Sequence, residues 1–368
     1  MFEKITVHTP RQFVPADLNT GDWAALAPLF EQLEQQLSAA TDAGQLEQVI
    51  LNWEELSAAI AEESSKRYIA MTCQTDDKTA EQNYLGFVEK IEPEEKQCSF
   101  RLAKALSDHP HRDGLPAKRY GVFTRDAALE VELFRPENVA LETETAKLGQ
   151  QYQKLIGGLA VQFDGEERTL VQMGRYLEET DRARRQEAWE LVANRRLEEA
   201  ETIDGQLDSL AKRRNQMSAN AGFPNYRDFA HRRKGRFDYT PNDCLAFHDA
   251  IEQEMVPLLR ELHDERKASL GIESLKPWDT ATDPQGRPPL KPFDEVPQLI
   301  SRTQAIFDQL DGDLAGWFQT MQDLDLLDLA NRKGKAPGGY QDSLAEARLP
   351  FIFMNSVGVQ RDVETLLH

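Results

Sequence analysis

The chain has 368 residues, with 43 Lys and Arg against 63 Asp and Glu, a formal net charge of −20. Nucleic-acid binders need clustered cations, so this balance excludes phosphate gripping as the main role, and it disfavours an anionic membrane surface. Hydrophobic residues make up 40% and charged residues 29%, enough apolar material for a substantial core and too much for a disordered chain.

Cys73, Cys98 and Cys244 are few, odd in number and far apart, which fits buried thiols in a reducing cytosol better than a disulfide framework. The N-terminal MFEKITVHTPRQFVPADL has no apolar signal-peptide core. No apolar run approaches the ~18 residues of a membrane span.

In chain order, the first 115 residues read as two to three antiparallel helices. Leu26, Phe30, Leu33 and Leu37 form one apolar stripe, and Leu46, Ile50, Trp53, Leu56 and Ile60 form a second. Asp76 and Asp77 are candidate caps for a helix carrying Tyr84, Phe87, Val88 and Ile91. The stretch 116–135 is mixed in pattern. Pro136 suits the first turn of a helix that ends at Gly157-Gly158. Leu159, Val161 and Phe163 alternate before Asp164-Gly165, the pattern of a short strand and tight turn. Thr169 and Thr180-Asp181 each open a further helix, the second expected to run unbroken toward Asn220.

The basic run His231–Arg236 is short and sits in an acidic context, so it reads as an ion-paired loop. A helix is expected from Thr240-Pro241 to Leu270. Six prolines then fall within 277–297, a density no regular element tolerates. Trp278 and Phe293 argue that this stretch is a packed, ordered loop. Helices are expected to resume from Glu295 to about Leu327.

Catalytic signatures are sparse. No G-x-S-x-G, G-x-G-x-x-G or P-loop spacing appears, and the histidines before the last one form no metal-binding pair. The informative region is the last forty residues. Lys333–Tyr340 is a glycine-rich loop, Leu349–Asn355 an apolar strand, and Arg361-Asp362 opens a helix whose apolar face is Val363, Leu366 and Leu367. Pro350 has no N–H, which suits an edge strand. An edge at Phe351–Asn355 would offer unpaired backbone groups to an extended peptide, with Gly338 and Gly339 allowing close approach.

These segments carry a resemblance. YIAMTCQTDD near residue 68, DGEERTL followed by TDRARRQEAW, GRFDYTPNDCLAFHDAI, LKPWDTATDPQGRPPLKPF and NRKGKAPGGYQDSLAEARLPFIFMNSVG are similar to segments of the oligoendopeptidase F branch of the thimet-oligopeptidase-like zinc metallopeptidases. The resemblance implies a mainly α fold, with multi-helix lobes flanking a substrate channel and a small β-sheet in the catalytic lobe. It implies an N-terminal helical lobe at 1–115, a connecting region at 116–200 and part of a metallopeptidase domain at 201–368. It implies a cytoplasmic zinc endopeptidase acting on short oligopeptides, with neither nucleic acid nor membrane as partner. The edge reading makes Gly338, Gly339, Tyr340, Phe351, Phe353 and Asn355 candidate substrate-binding residues, on the strand that the resemblance implies aligns substrate.

In the family the final helix carries D-V-x-T-L-x-H-E-x-x-H. Here the match runs from Asp362 to His368, which takes the place of the first Zn²⁺ histidine. H-E-x-x-H places two imidazoles on one helix face, with a glutamate as general base beside the metal-bound water. This sequence holds one of those groups, so the domain is expected to be incomplete, the chain inactive alone, and its last helix frayed for want of partner helices. The alternative is a non-catalytic helical module that binds peptides or proteins.

Overall fold

A computed structural model describes residues 2–5 and 10–368. The chain is mainly α with two small sheets. The N-terminal part holds α1 (Trp23–Ala39), α2 (Ala43–Cys73), α3 (Lys78–Lys90), α4 (Glu92–Ser107), α5 (Ala117–Leu133) and α6 (Pro136–Gly158). The two expected stripes are the core here: Leu26, Phe30 and Leu33 of α1 pack with Leu46, Ile50 and Leu56 of α2 and Leu102 of α4. Asp22, Asp42 and Asp77 each cap the helix that follows by accepting N–H bonds from its first turn.

A hairpin follows, with β1 (Ala160–Phe163) paired antiparallel to β2 (Glu166–Thr169). Its turn, Asp164-Gly165, has positive φ at both residues, +53° and +77°, the geometry a right-twisted two-residue hairpin demands. Next come α7 (Arg182–Leu197) and α8 (Ala200–Asn220). They replace the single long helix expected, because the chain breaks at Glu198-Glu199. Then follow α9 (Tyr226–Arg233), α10 (Pro241–Ala250) and α11 (Val256–Leu270), the last two joined by a wide turn at Ile251–Met255. None of the residues of α10, this turn or α11 is buried. They form a largely exposed arm that touches the proline-rich loop through Arg266, which donates to Thr282 O at 2.6 Å.

The C-terminal part contains α12 (Val296–Leu310), α13 (Gly312–Asp323), β3 (Leu327–Ala330), β4 (Tyr340–Leu344), β5 (Leu349–Ser356) and α14 (Gln360–Leu367). The three strands form one sheet in the order β3-β5-β4, with β3 parallel and β4 antiparallel to β5. Two further expectations change. The mixed stretch 116–135 is largely helical as α5, and helix gives way to strand at Leu327.

The proline-rich loop is fixed in place by a buried charge. Asp279 is fully buried and accepts from Arg182 Nε at 3.0 Å and Arg185 Nη2 at 3.1 Å. Burial alone would push this carboxyl up, but bonds from Arg182, the Lys276 N–H and Arg185 hold it below the usual carboxylate range. Phe293 is buried against Leu299, Phe318 and Met354. Trp278 is half-buried, its ring 5.5 Å from that of Trp189.

Candidate active site

The sheet is hung on two long helices. At the end of α2, the Thr75 N–H donates to Gly334 O at 2.6 Å and Ala336 N–H donates to Thr72 O at 2.8 Å. At the end of α6, Gly157 O accepts from Gly334 N–H at 2.9 Å. A side chain at Gly157 would come within 2.5 Å of Lys335 O, so only glycine allows this approach.

Lys335 ties the sheet together from inside. Its buried Nζ donates to the carbonyls of Asp328, Ala330 and Met354 and to Asp328 Oδ1, 3.0 Å away. It also lies 4.4 Å from the centre of the Phe353 ring. One ammonium thereby cross-links the parallel pair β3 and β5. Burial pushes the lysine down and Asp328 pulls it back up. Burial pushes Asp328 up in turn, yet bonds from Arg332, Cys73 and Lys335 bring it down to about 2. The Cys73 thiol beside them is pushed up to about 12, first by burial and then by Asp328, so it stays protonated and unreactive. The sequence reading missed Lys335 because it tested the lysine-rich loop only for phosphate-binding spacing.

The expected edge at Phe351–Asn355 is overturned. β5 is the central strand, paired on both sides. Phe351 and Phe353 are core residues, 1% and 0% exposed, and their side chains offer no surface to a ligand. The outer edge on the glycine-loop side is β4. Ile352 N–H donates to Leu326 O beside β3, so Ile352 and its opposite residue Gln341 are not hydrogen-bonded to each other. Pro350 faces Ser343 in the same register. Tyr340, Asp342 and Leu344 therefore bond β5, while Gln341 and Ser343 aim their backbone groups outward.

The remaining candidate residues gather beside this edge. Gly338 has φ +86°, a left-handed conformation that favours glycine, and the space around it is open. Gly339 lies against β5, where a side chain would sit 3.2 Å from Phe353 O. Tyr340 stacks on Phe353 with ring centres 4.6 Å apart, and its hydroxyl hydrogen-bonds Thr72 Oγ1 at 2.6 Å. Burial pushes this phenol well up. Asn355 Nδ2 donates to Ala336 O at 2.9 Å and Gly338 O at 2.7 Å, while its Oδ1 accepts from Asn331. Tyr340 and Asn355 thus shape the loop, with side chains committed to neighbouring protein groups.

From β5 the chain turns at Val357-Gly358 into α14. The Asp362 carboxylate accepts N–H bonds from Val357, Gly358 and Val359 at 2.7, 2.8 and 3.1 Å, which fixes the entry of the helix. Contrary to expectation, α14 has a partner. Leu366 is buried and Val363 partly buried in a cluster with Leu299, Phe318 and Met354. His368 is exposed. Among the described residues, no three His, Cys, Asp or Glu side chains converge to hold a metal ion. A lone imidazole does not fit a catalytic zinc site, which takes three protein ligands and a water.

Comparison with known proteins agrees with this architecture. Over 96% of the chain it superposes on PZ peptidase A with an inhibitor, at TM-score 0.89 and 28% identity. A protein assigned as oligoendopeptidase F from Bacillus anthracis matches 97% of the chain at TM-score 0.89 and 26% identity. Another so assigned matches 97% at 0.88 and 26%. The chain spans 63%, 66% and 63% of the lengths of these three. No curated protein sequence matches it. Residues 13–134 match the Peptidase M3 N-terminal domain. Residues 175–368, which carry the sheet, its glycine loop and α14, match Peptidase family M3, and the chain belongs to that family.

Proposed function

We propose that this chain aligns short peptides for zinc-dependent cleavage of internal bonds, in the cytoplasm. An N-terminal lobe at 1–115 and a connecting region at 116–200 would form walls of a substrate channel, with 201–368 as part of the metallopeptidase domain. The observation that carries the reading is the open edge of β4 beside the Gly338-Gly339 loop, on the sheet whose central strand leads into α14. An extended peptide would add to that edge as a further strand, its backbone meeting the N–H and C=O of Gln341. Gly338 would let it pass close, and Tyr340, Phe353 and Asn355 would hold the loop's shape from behind. By the family resemblance His368 would be one zinc ligand, and the described residues do not by themselves complete such a site.

The donor set also favours a second reading for this chain by itself, as a peptide-binding module. A quenched-fluorescent oligopeptide assay, with and without Zn²⁺, tests the pair of readings. The 368-residue chain is expected to bind the peptide without turning it over. Turnover that a chelator abolishes would contradict the ligand assignment.

A further inference from the structure

A cavity of about 590 Å³ lies between α4, α5, α6 and α9. It is remote from the sheet. Its α6 residues, Asn138 to Glu142, precede Gly157 by 15–19 positions, about 25 Å at 1.5 Å per residue. The volume falls in the range of small-molecule sites. The floor is apolar, made by Leu129, Leu133, Val139 and Phe229, of which all but Val139 are buried.

The rim is positive, in a chain of net charge −20. Five cations line it, Lys96, Arg125, Arg135, Arg233 and Lys234, against three carboxyls, Asp126, Glu130 and Glu142. Glu142 serves two of them, Lys96 at 2.9 Å and Arg233 at 3.0 Å, Lys96 also lies 3.6 Å from Glu92, and Arg125 pairs with Asp126 at 3.2 Å. Arg135 is bonded to backbone carbonyls of Phe134, Glu132, Asn220 and Ala221, with no carboxylate to balance its charge. Lys234 makes no ion pair among the described residues. Glu130 is lifted to about 7 by burial and then by Glu95, so near neutrality it offsets only part of one charge.

An apolar floor under an under-compensated cationic rim selects one ligand class. We propose that this cavity binds a small amphipathic carboxylate, its hydrocarbon or aromatic body on Leu129, Leu133 and Phe229 and its anionic head among Lys234, Arg125 and Arg233. Two sources share that chemistry, a medium-chain fatty acid and the C-terminus of a short peptide ending in an apolar residue. The site is independent of the peptidase reading.

Calorimetric titration of the full chain at pH 7 with octanoate, N-acetylphenylalanine, 1-octanol and octylammonium tests it. At least one carboxylate is expected to bind roughly tenfold tighter than octanol, with octylammonium weakest. Octanoate alone would identify the acyl source, and N-acetylphenylalanine alone the peptide source. Lys234→Glu, at an exposed position, is expected to weaken the carboxylate about fivefold. Leu133→Trp, which fills the cavity, is expected to abolish binding while circular dichroism stays native. If the tryptophan variant unfolds, the charge-reversal variant and the probe series still decide. No carboxylate binding at millimolar concentration, equal binding of octylammonium, or affinity unmoved by Lys234→Glu would overturn the proposal.

Discussion

Replacing Lys335 by alanine removes a buried ammonium that donates to the carbonyls of Asp328, Ala330 and Met354 and to the Asp328 carboxylate, which then keeps only Arg332 as its charged partner. Asp328 would then stay mostly buried with one of its two cationic partners gone. Breaking a buried pair from one side costs about 3–5 kcal/mol, and urea unfolding of Lys335→Ala should read a loss of that size. The pH dependence follows from Asp328. Its folded value of about 2 lies below its ordinary range, so the bond contributes fully above pH ~4 and is lost as pH falls through 2. An acid-unfolding curve should therefore flatten in Asp328→Asn between those limits. A wild-type acid limb kept in that variant would place the titration elsewhere. This residue was legible in the sequence only as one more lysine beside glycines. Its role comes from burial, which a loop's composition does not encode.

At the scale of elements, the contrast is between helices with a packed face and the arm of α10 and α11. Phe247, Ile251, Met255, Leu259 and Leu262 recur along the arm at spacings of four, four, four and three, and every one of them is exposed. Leu259→Glu should change stability by no more than about 0.5 kcal/mol. Leu299→Ala, at a position 1% exposed in the core under α14, should cost about 2–5 kcal/mol. Chemical denaturation of the two variants side by side checks the contrast.

The proline-rich loop gives a further expectation. Asp279→Asn keeps the shape but loses the charge that Arg182 and Arg185 grip, so limited proteolysis between Thr280 and Arg287 should accelerate. An unchanged cleavage rate would mean that Phe293 and the prolines suffice to hold the loop. The sequence announced both the order of this loop and its anchor Phe293, because prolines and aromatics are local signals. It did not announce Asp279, whose partners are more than ninety residues away. The same distinction explains the strands. PFIFMN is apolar at nearly every position and reads as a strand. Whether such a strand is edge or centre depends on β3 and β4, two short segments whose own patterns are weak. Pro350 pointed to an edge, yet it is accommodated in a central strand opposite Ser343, at a position that donates no hydrogen bond.

For the whole molecule, the capped helices, the hairpin and the closing strand-turn-helix were legible in the sequence, because each depends on periodicity and local turn chemistry. The break at Glu198-Glu199 between α7 and α8 and the helix over 117–133 were not, since no glycine or proline marks the first and no clean apolar period marks the second. In the proposed function the edge of β4 receives peptide backbone while β5 stays a core strand. Hydrogen exchange, resolved to single amides by NMR, measures this directly on the 368-residue chain with and without a saturating oligopeptide. The Gln341 amide is predicted to slow on peptide addition, while Ile352, already bonded to Leu326 O, is slow in both states. Peptide binding that leaves Gln341 unprotected, or that protects amides only away from β4, would contradict it.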